Sequence, residues 1–239
     1  MVEYLENERY LKSLVAVIRD KRSSASELQK ALRRFGQGMA QHIVAKSARE
    51  QKIETPMGRT LMAYVAAKPY TLIVGPRAEK ALVKGMQDII DNSTAGYMDF
   101  RGKRGRQLME GPTRALQMER EVGNESVESL ICVKSMLAEG NTAITLAKTA
   151  IAIYNPRRVV IASILHTVRG LHKVQESIPR AEILLVVKRP DDINDNGMLI
   201  PGVGNLDERL KETILVKKAV GKPRSPRAAS KATAISRNG

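Results

Sequence analysis

An α/β fold, with a mostly parallel sheet flanked by helices, is what this sequence predicts, on three observations. Short apolar, β-rich runs bounded by turn residues recur at Tyr70–Val74, Ser129–Val133, Arg158–Leu165 and Ile183–Val187. Helix-like segments lie between them at 77–91, 141–154 and 168–177. The chain has 239 residues, 43% of them hydrophobic, which is enough to bury one sizeable core. Strands alternating with helices give a parallel sheet covered on both faces. Ligands of such sheets sit at the carboxyl ends of the strands.

Before the first strand, residues 8–50 read as helical. Leu11, Leu14, Val15 and Ile18 share one face, and Leu28, Leu32, Phe35 and Met39 repeat the spacing. Ser23-Ser24-Ala25-Ser26 followed by Glu27 predicts a break and an N-cap between two helices. Residues 59–67, after Thr55-Pro56-Met57-Gly58, read as a further helix. Residues 95–125 are rich in Gly and Arg, with weak periodicity, and read as a long arm or loop over the site. From Lys217 to Gly239 there are seven basic residues and no acid, a composition that predicts disorder unless bound. The expected division is therefore one domain over 1–216, with N-terminal helices, and a basic C-terminal tail over 217–239.

Composition excludes several classes. No run approaches the ~20 apolar residues of a membrane helix, so no membrane partner is expected. The N-terminus has acids and no apolar signal-type core, so the expected location is cytoplasmic or organellar interior rather than secreted. One cysteine, Cys132, rules out an internal disulfide framework, and inside an apolar strand it reads as an inert buried thiol. With only His42, His166 and His172 besides, no metal site is visible, and structural or surface roles are the default for the last two. Asp191-Asp192 reads as a polar loop ahead of metal ligation.

Charge is the outlying property. The 40 Lys+Arg against 25 Asp+Glu give +15, a surplus that attracts polyanions. Aromatics are 3% and Trp is absent, so any nucleic-acid contact would be to phosphates rather than through base stacking. The candidate nucleic-acid residues are Arg101, Lys103, Arg104 and Arg106 in the arm, and Lys217, Lys218, Lys222, Arg224 and Arg227 in the tail. The arm reads equally as a phosphate contact or a solvated loop; the tail reads as an interaction arm ahead of a solubility tail.

Two segments carry the candidate chemistry. The run Ile131-Cys132-Val133 leads into Lys134-Ser135-Met136-Leu137-Ala138-Glu139-Gly140-Asn141-Thr142-Ala143-Ile144 and then a helix. Strand, small-residue loop and helix N-terminus form a common phosphate cradle, though a plain connecting loop has the same look. The second segment is Gly197-Met198-Leu199-Ile200-Pro201-Gly202-Val203-Gly204-Asn205-Leu206-Asp207-Glu208-Arg209. Together they resemble uracil phosphoribosyltransferases, whose motifs read D-P-M-[LI]-A-T-G-[GS]-[ST]-A and G-Y-[IV]-[LVI]-P-G-[LI]-G-D-A-G-D-R. Glu54-Thr55-Pro56-Met57-Gly58 is similar to the family's E-T-P-[LM]-G, and Arg77-Ala78 to its [IL]-L-R-A-G turn. Phe100-Arg101 and Arg19-Asp20-Lys21 fall where the family has Tyr-Arg and L-R-D-K. Order and spacing match over residues 8–212.

The resemblance implies a type I phosphoribosyltransferase fold. It implies a reaction of uracil with phosphoribosyl pyrophosphate giving UMP and pyrophosphate, with Mg²⁺ on the pyrophosphate if the enzyme is active and no other cofactor. The implied substrate-binding positions are Arg77, Arg101, Lys134, Ala138, Glu139, Gly140, Asn141, Thr142, Ile200, Gly202, Asn205 and Arg209. It also implies a homodimer.

Departures from the pattern concentrate at these positions. Lys134 stands at the acid that binds the ribose hydroxyls; a carboxylate accepts from two hydroxyls, an ammonium only donates. Glu139 stands at a phosphate-contacting Thr, where an anion repels the ligand. Asn141 replaces a small residue whose backbone must approach the phosphate. Asn205-Leu206-Asp207-Glu208-Arg209 replaces D-A-G-D-R, and Gly102 and Lys103 replace an acidic pair. Lys134 and Glu139, opposite charges on one short loop, are expected to pair and fill the pocket. The leading expectation is a lapsed enzyme, with no confident catalytic residue, that acts as a basic scaffold on RNA or a ribonucleoprotein. An active uracil phosphoribosyltransferase and a nucleotide-sensing regulator are the alternatives.

Overall fold

The computed structural model describes residues 1–5, 8–100, 116–119 and 126–211. Its centre is a seven-stranded sheet formed by β1 (Val2–Tyr4), β4 (Thr71–Pro76), β5 (Ser93–Met98), β6 (Gln117–Met118), β7 (Ser129–Leu137), β8 (Arg158–His166) and β9 (Glu182–Leu185). The spatial order is β1-β9-β8-β7-β4-β5-β6. All pairings are parallel except that of β5 with β6. The predicted α/β class with a mostly parallel sheet is what forms. The central strands β4, β7 and β8 are buried almost throughout, as strands covered on two faces must be.

Helices α1 (Arg9–Arg19), α2 (Ala25–Ser47) and α3 (Lys80–Gln87) cover one face. Helices α4 (Asn141–Tyr154) and α5 (Val168–Ser177) cover the other. The predicted break between α1 and α2 is a complete capping box: Ser24 Oγ accepts from the Glu27 N–H, and the Glu27 carboxylate accepts from the Ser24 N–H at 2.8 Å. Leu28, Leu32, Phe35 and Met39 form the buried face of α2.

Three sequence expectations are corrected. Helix α2 ends at Ser47, and residues 49–50 open a strand, not a helical turn. Residues 59–67 are not helical: β3 (Thr60–Val65) pairs antiparallel with β2 (Arg49–Glu54) around a turn at Thr55–Gly58, where Gly58 has φ 70°. Leu61-Met62-Ala63-Tyr64-Val65 is a short continuous apolar run, which fits a strand as well as a helix segment, and only the pairing partner settles the choice. That partner, Arg49-Glu50-Gln51-Lys52-Ile53-Glu54, is polar and carries almost no strand signal. The arm read from 95 begins later, because Ser93–Met98 is strand β5; its small residues form no apolar run. The basic residues Arg101, Lys103, Arg104 and Arg106, the 217–239 tail and the last residues of the expected 1–216 domain lie outside the described residues.

Candidate functional site

Strand order reverses at β4 and β7. The chain leaves β4 through a short 3₁₀ turn (Arg77–Glu79) and α3 to reach β5 on one side, and leaves β7 through α4 to reach β8 on the other. The two exits diverge and open a crevice at the carboxyl ends of the strands. A cavity of about 620 Å³ occupies it. Its walls include Arg77, Glu79, Asp99, Lys134, Ala138 to Ala143, Asn196 to Leu199, Gly204, Asn205 and Asp207.

Of the sequence-predicted positions, Arg77, Lys134, Ala138, Glu139, Gly140, Asn141, Thr142 and Asn205 thus come together on one cavity. Gly140 caps α4 in the left-handed region (φ 78°) without a side-chain cap, which leaves the first amides of α4 without a capping acceptor, and Asn141, Thr142 and Ala143 line the cavity. Its Cβ, if present, would stand 2.8 Å from Gly170 O and 3.0 Å from Val174 Cγ2. The loop rests on the start of α5. Thr167 donates its hydroxyl to Ala138 O at 2.6 Å and its N–H to Leu137 O at 3.1 Å.

The expected Lys134–Glu139 pair does not form. Strand β7 continues past Val133 to Leu137, which carries Lys134 to the end of β4, where its ammonium pairs with the Glu79 carboxylate. Glu139 lies beyond the strand end and pairs instead with Arg169 of α5 at 3.3 Å. Glu79 is 1% exposed and also accepts from the Ser135 N–H at 2.5 Å and the Ser135 hydroxyl at 2.8 Å. Burial of a carboxylate demands such donors. Arg77, at the rim, pairs with Asp99 at 3.3 Å, donates to Gln117, and lies over the Tyr97 ring at 5.8 Å.

Three other predicted positions do not line the cavity. Ile200 is half exposed. Gly202 is buried with both backbone groups engaged: its N–H donates to Asp191 at 3.1 Å and its carbonyl accepts from Arg19 at 3.4 Å. Arg19 and Asp191 pair at 2.7 Å. Arg209 donates to Ile18 O, Val203 O and Asp20 O at 2.6, 2.8 and 2.5 Å. Gly202 and Arg209 therefore hold the 199–205 loop against α1. Asp191, read from sequence as part of a polar loop, is a buried anchor, 6% exposed. Arg101 lies outside the described residues.

Sequence reasoning missed Glu79, Asp99, Arg169 and Asp191. A signal existed for Glu79, which directly follows Arg77-Ala78 at the position of the resembled turn's Gly. None existed for Arg169 or Asp191, whose roles depend on long-range contacts. Cys132 is buried, and burial pushes its thiol pKa up, as an inert thiol requires. His166 is buried against the Tyr4 ring, and burial pushes its pKa down.

Among the described residues the lining gives a protein-held Mg²⁺ a poor ligand set, its carboxylates being Glu79, Asp99, Glu139 and Asp207. Asn205 is neutral, Glu79 is consumed by Lys134 and Ser135, and Asp99 and Glu139 face arginines. Among the described residues no group of three or more His, Cys, Asp or Glu could hold a metal ion. No helix among them is long and apolar enough to cross a membrane.

The family model described as uracil phosphoribosyltransferase matches residues 5–213. The chain is 24% identical over 213 residues to a uracil phosphoribosyltransferase of Thermococcus gammatolerans, covering 85% of this chain and 90% of that one. It is 27% identical over 202 residues to one from Pyrobaculum arsenaticum, covering 84% and 94%. The solved AQ2163 protein of Aquifex aeolicus shares the fold, with a TM-score of 0.71 at 21% identity over 88% of this chain and 97% of that one.

Proposed function

The chain belongs to the uracil phosphoribosyltransferase family, and from that premise we propose that it is a member in which ribose-phosphate transfer has lapsed, leaving a ligand-binding cavity on a basic scaffold. One observation carries the reading. At the strand end where the family's sugar-binding acid is expected, Lys134 is locked to the buried Glu79. Glu79 accepts from Lys134 and from both Ser135 donors, so it has little capacity left to accept a ribose hydroxyl. Lys134 can only donate. Neutral Asn205 and the Glu139 carboxylate beside the α4 amides support the same reading.

The direct test is incubation with uracil, phosphoribosyl pyrophosphate and Mg²⁺. UMP should not form above the blank. UMP formation at an ordinary turnover of ~1 s⁻¹ or more would overturn the reading in favour of an active uracil phosphoribosyltransferase, which the relatives' shared activity favours as the rival.

The scaffold half of the proposal is contact with RNA or a ribonucleoprotein. Its support is the +15 charge and the seven-fold basic, acid-free run from Lys217. The open cavity favours nucleotide sensing as the remaining alternative; saturable thermal protection by UMP or GTP without turnover would select it.

A further inference from the structure

We propose that Lys134 and Glu79 act as one unit that sets the ligand class of the cavity: at the end of β7 it seats a phosphoryl oxyanion and does not grip a sugar diol. The inference rests on the same strand end as the proposed lapse but concerns what binds there, not whether transfer occurs.

The geometry is specific. Glu79 leaves the turn after β4 and Lys134 lies on β7, so the pair spans the two strands whose exits diverge to make the cavity. The Glu79 side chain is 2% exposed and that of Lys134 19%. The carboxylate is therefore the buried anchor and the ammonium its cavity-side end. Glu79 takes three donors, Lys134 Nζ, Ser135 N and Ser135 Oγ, all from two consecutive residues.

An ammonium has three N–H donors, and one is committed to Glu79. Among the described residues the others take no further partner, and Lys134 lines the cavity with its usual rotamer freedom already removed by the ion pair. Holding a lysine in place in advance lowers the entropic cost of using it on a ligand. A donor-only group at this point complements an acceptor-only group, which a phosphoryl oxygen is. It cannot accept the two O–H donors of a diol, as a carboxylate at the same place would. Arg77 at the rim and the first amides of α4 add donors around the same cavity. Among the described residues the carboxylates lining it are Glu79, Asp99, Glu139 and Asp207; Glu79, Asp99 and Glu139 face Lys134, Arg77 and Arg169.

Two titrations on the full chain test this. The first compares inorganic pyrophosphate binding to the unaltered protein and to Lys134→Met with Glu79→Gln, at low ionic strength. The double change removes both charges together and keeps an acceptor for Ser135, so no buried carboxylate is orphaned. The unaltered protein should bind, and the double variant, with its melting temperature retained, should bind about tenfold or more weaker, the size expected for a lost charge-assisted hydrogen bond. Equal affinities, or no binding by the unaltered protein, would overturn the proposal.

The second needs no variant. Ribose 5-phosphate and 2-deoxyribose 5-phosphate should bind the unaltered protein within about twofold of each other, because the group at this strand end is an ammonium donor and not a carboxylate that would accept from the 2-hydroxyl. A preference for ribose 5-phosphate of about tenfold or more would show that the diol is still gripped and would overturn the proposal. The transferase assay separates the two readings: UMP formation together with Lys134-dependent pyrophosphate binding ends the proposed lapse and leaves this inference standing.

Discussion

At the scale of single residues, two buried acids hold segments that line the cavity. Glu79 fixes Lys134 and the end of β7; Asp191 fixes Arg19 and the Gly202 amide, and so the 199–205 loop. Both acids are buried by the fold and satisfied by donors supplied at long range, which is why single-residue deletion is costly. Asp191→Ala orphans the Arg19 guanidinium, whose side chain is 23% exposed, and leaves the Gly202 N–H without its partner. Loss of one member of a buried pair typically costs ~3 kcal/mol. Denaturant unfolding should show a drop of about that size, with the slope of the transition unchanged. A loss below about 0.5 kcal/mol would place Asp191 among ordinary surface acids. The residues themselves were visible in the sequence, but their pairings were not. Lys134 looked as though it belonged with Glu139, five positions away, and found Glu79 in the turn that follows β4.

At the scale of elements, the strand and helix runs at the centre of the chain were legible because they are long, apolar and bounded by turn residues. The 141–154 and 168–177 segments became α4 and α5 with bounds within one residue of those expected. The β2–β3 hairpin was not legible, because both strands are exposed and neither has an apolar face turned to the core. Pairing alone makes it, and pairing leaves no mark on a polar strand such as β2. The α2–α3 contact was equally hidden. Gly36 and Gly85 let the two helices meet backbone to backbone: a Cβ at Gly36 would lie 2.2 Å from Leu82 O, and one at Gly85 would lie 1.9 Å from Arg33 O. In an isolated helix Gly→Ala is stabilising by ~1 kcal/mol. Here the backbone cannot yield so far, and Gly85→Ala should instead destabilise by ~3 kcal/mol as the helices are forced apart. Thermal melting checks the sign; a raised melting temperature would show that α3 is free to move.

At the scale of the whole molecule, the +15 charge predicts association with polyanions irrespective of their sequence. RNA affinity should fall steeply and linearly on a log–log plot against salt, and removing residues 217–239, with seven of the positive charges, should flatten that slope. Absence of RNA binding at low salt, or a slope unchanged by the truncation, would remove the scaffold reading. The sequence by itself determined the α/β class, the family and the placement of both candidate loops, because periodicity, turn residues and motif spacing are local properties of a chain. Tertiary structure alone decided which charges meet. It put Lys134 on Glu79, Glu139 on Arg169, and Gly202 and Arg209 on the loop's anchor rather than in the cavity. Ion pairing depends on distances across strands and helices far apart in the sequence, and those distances exist only once the sheet has been assembled.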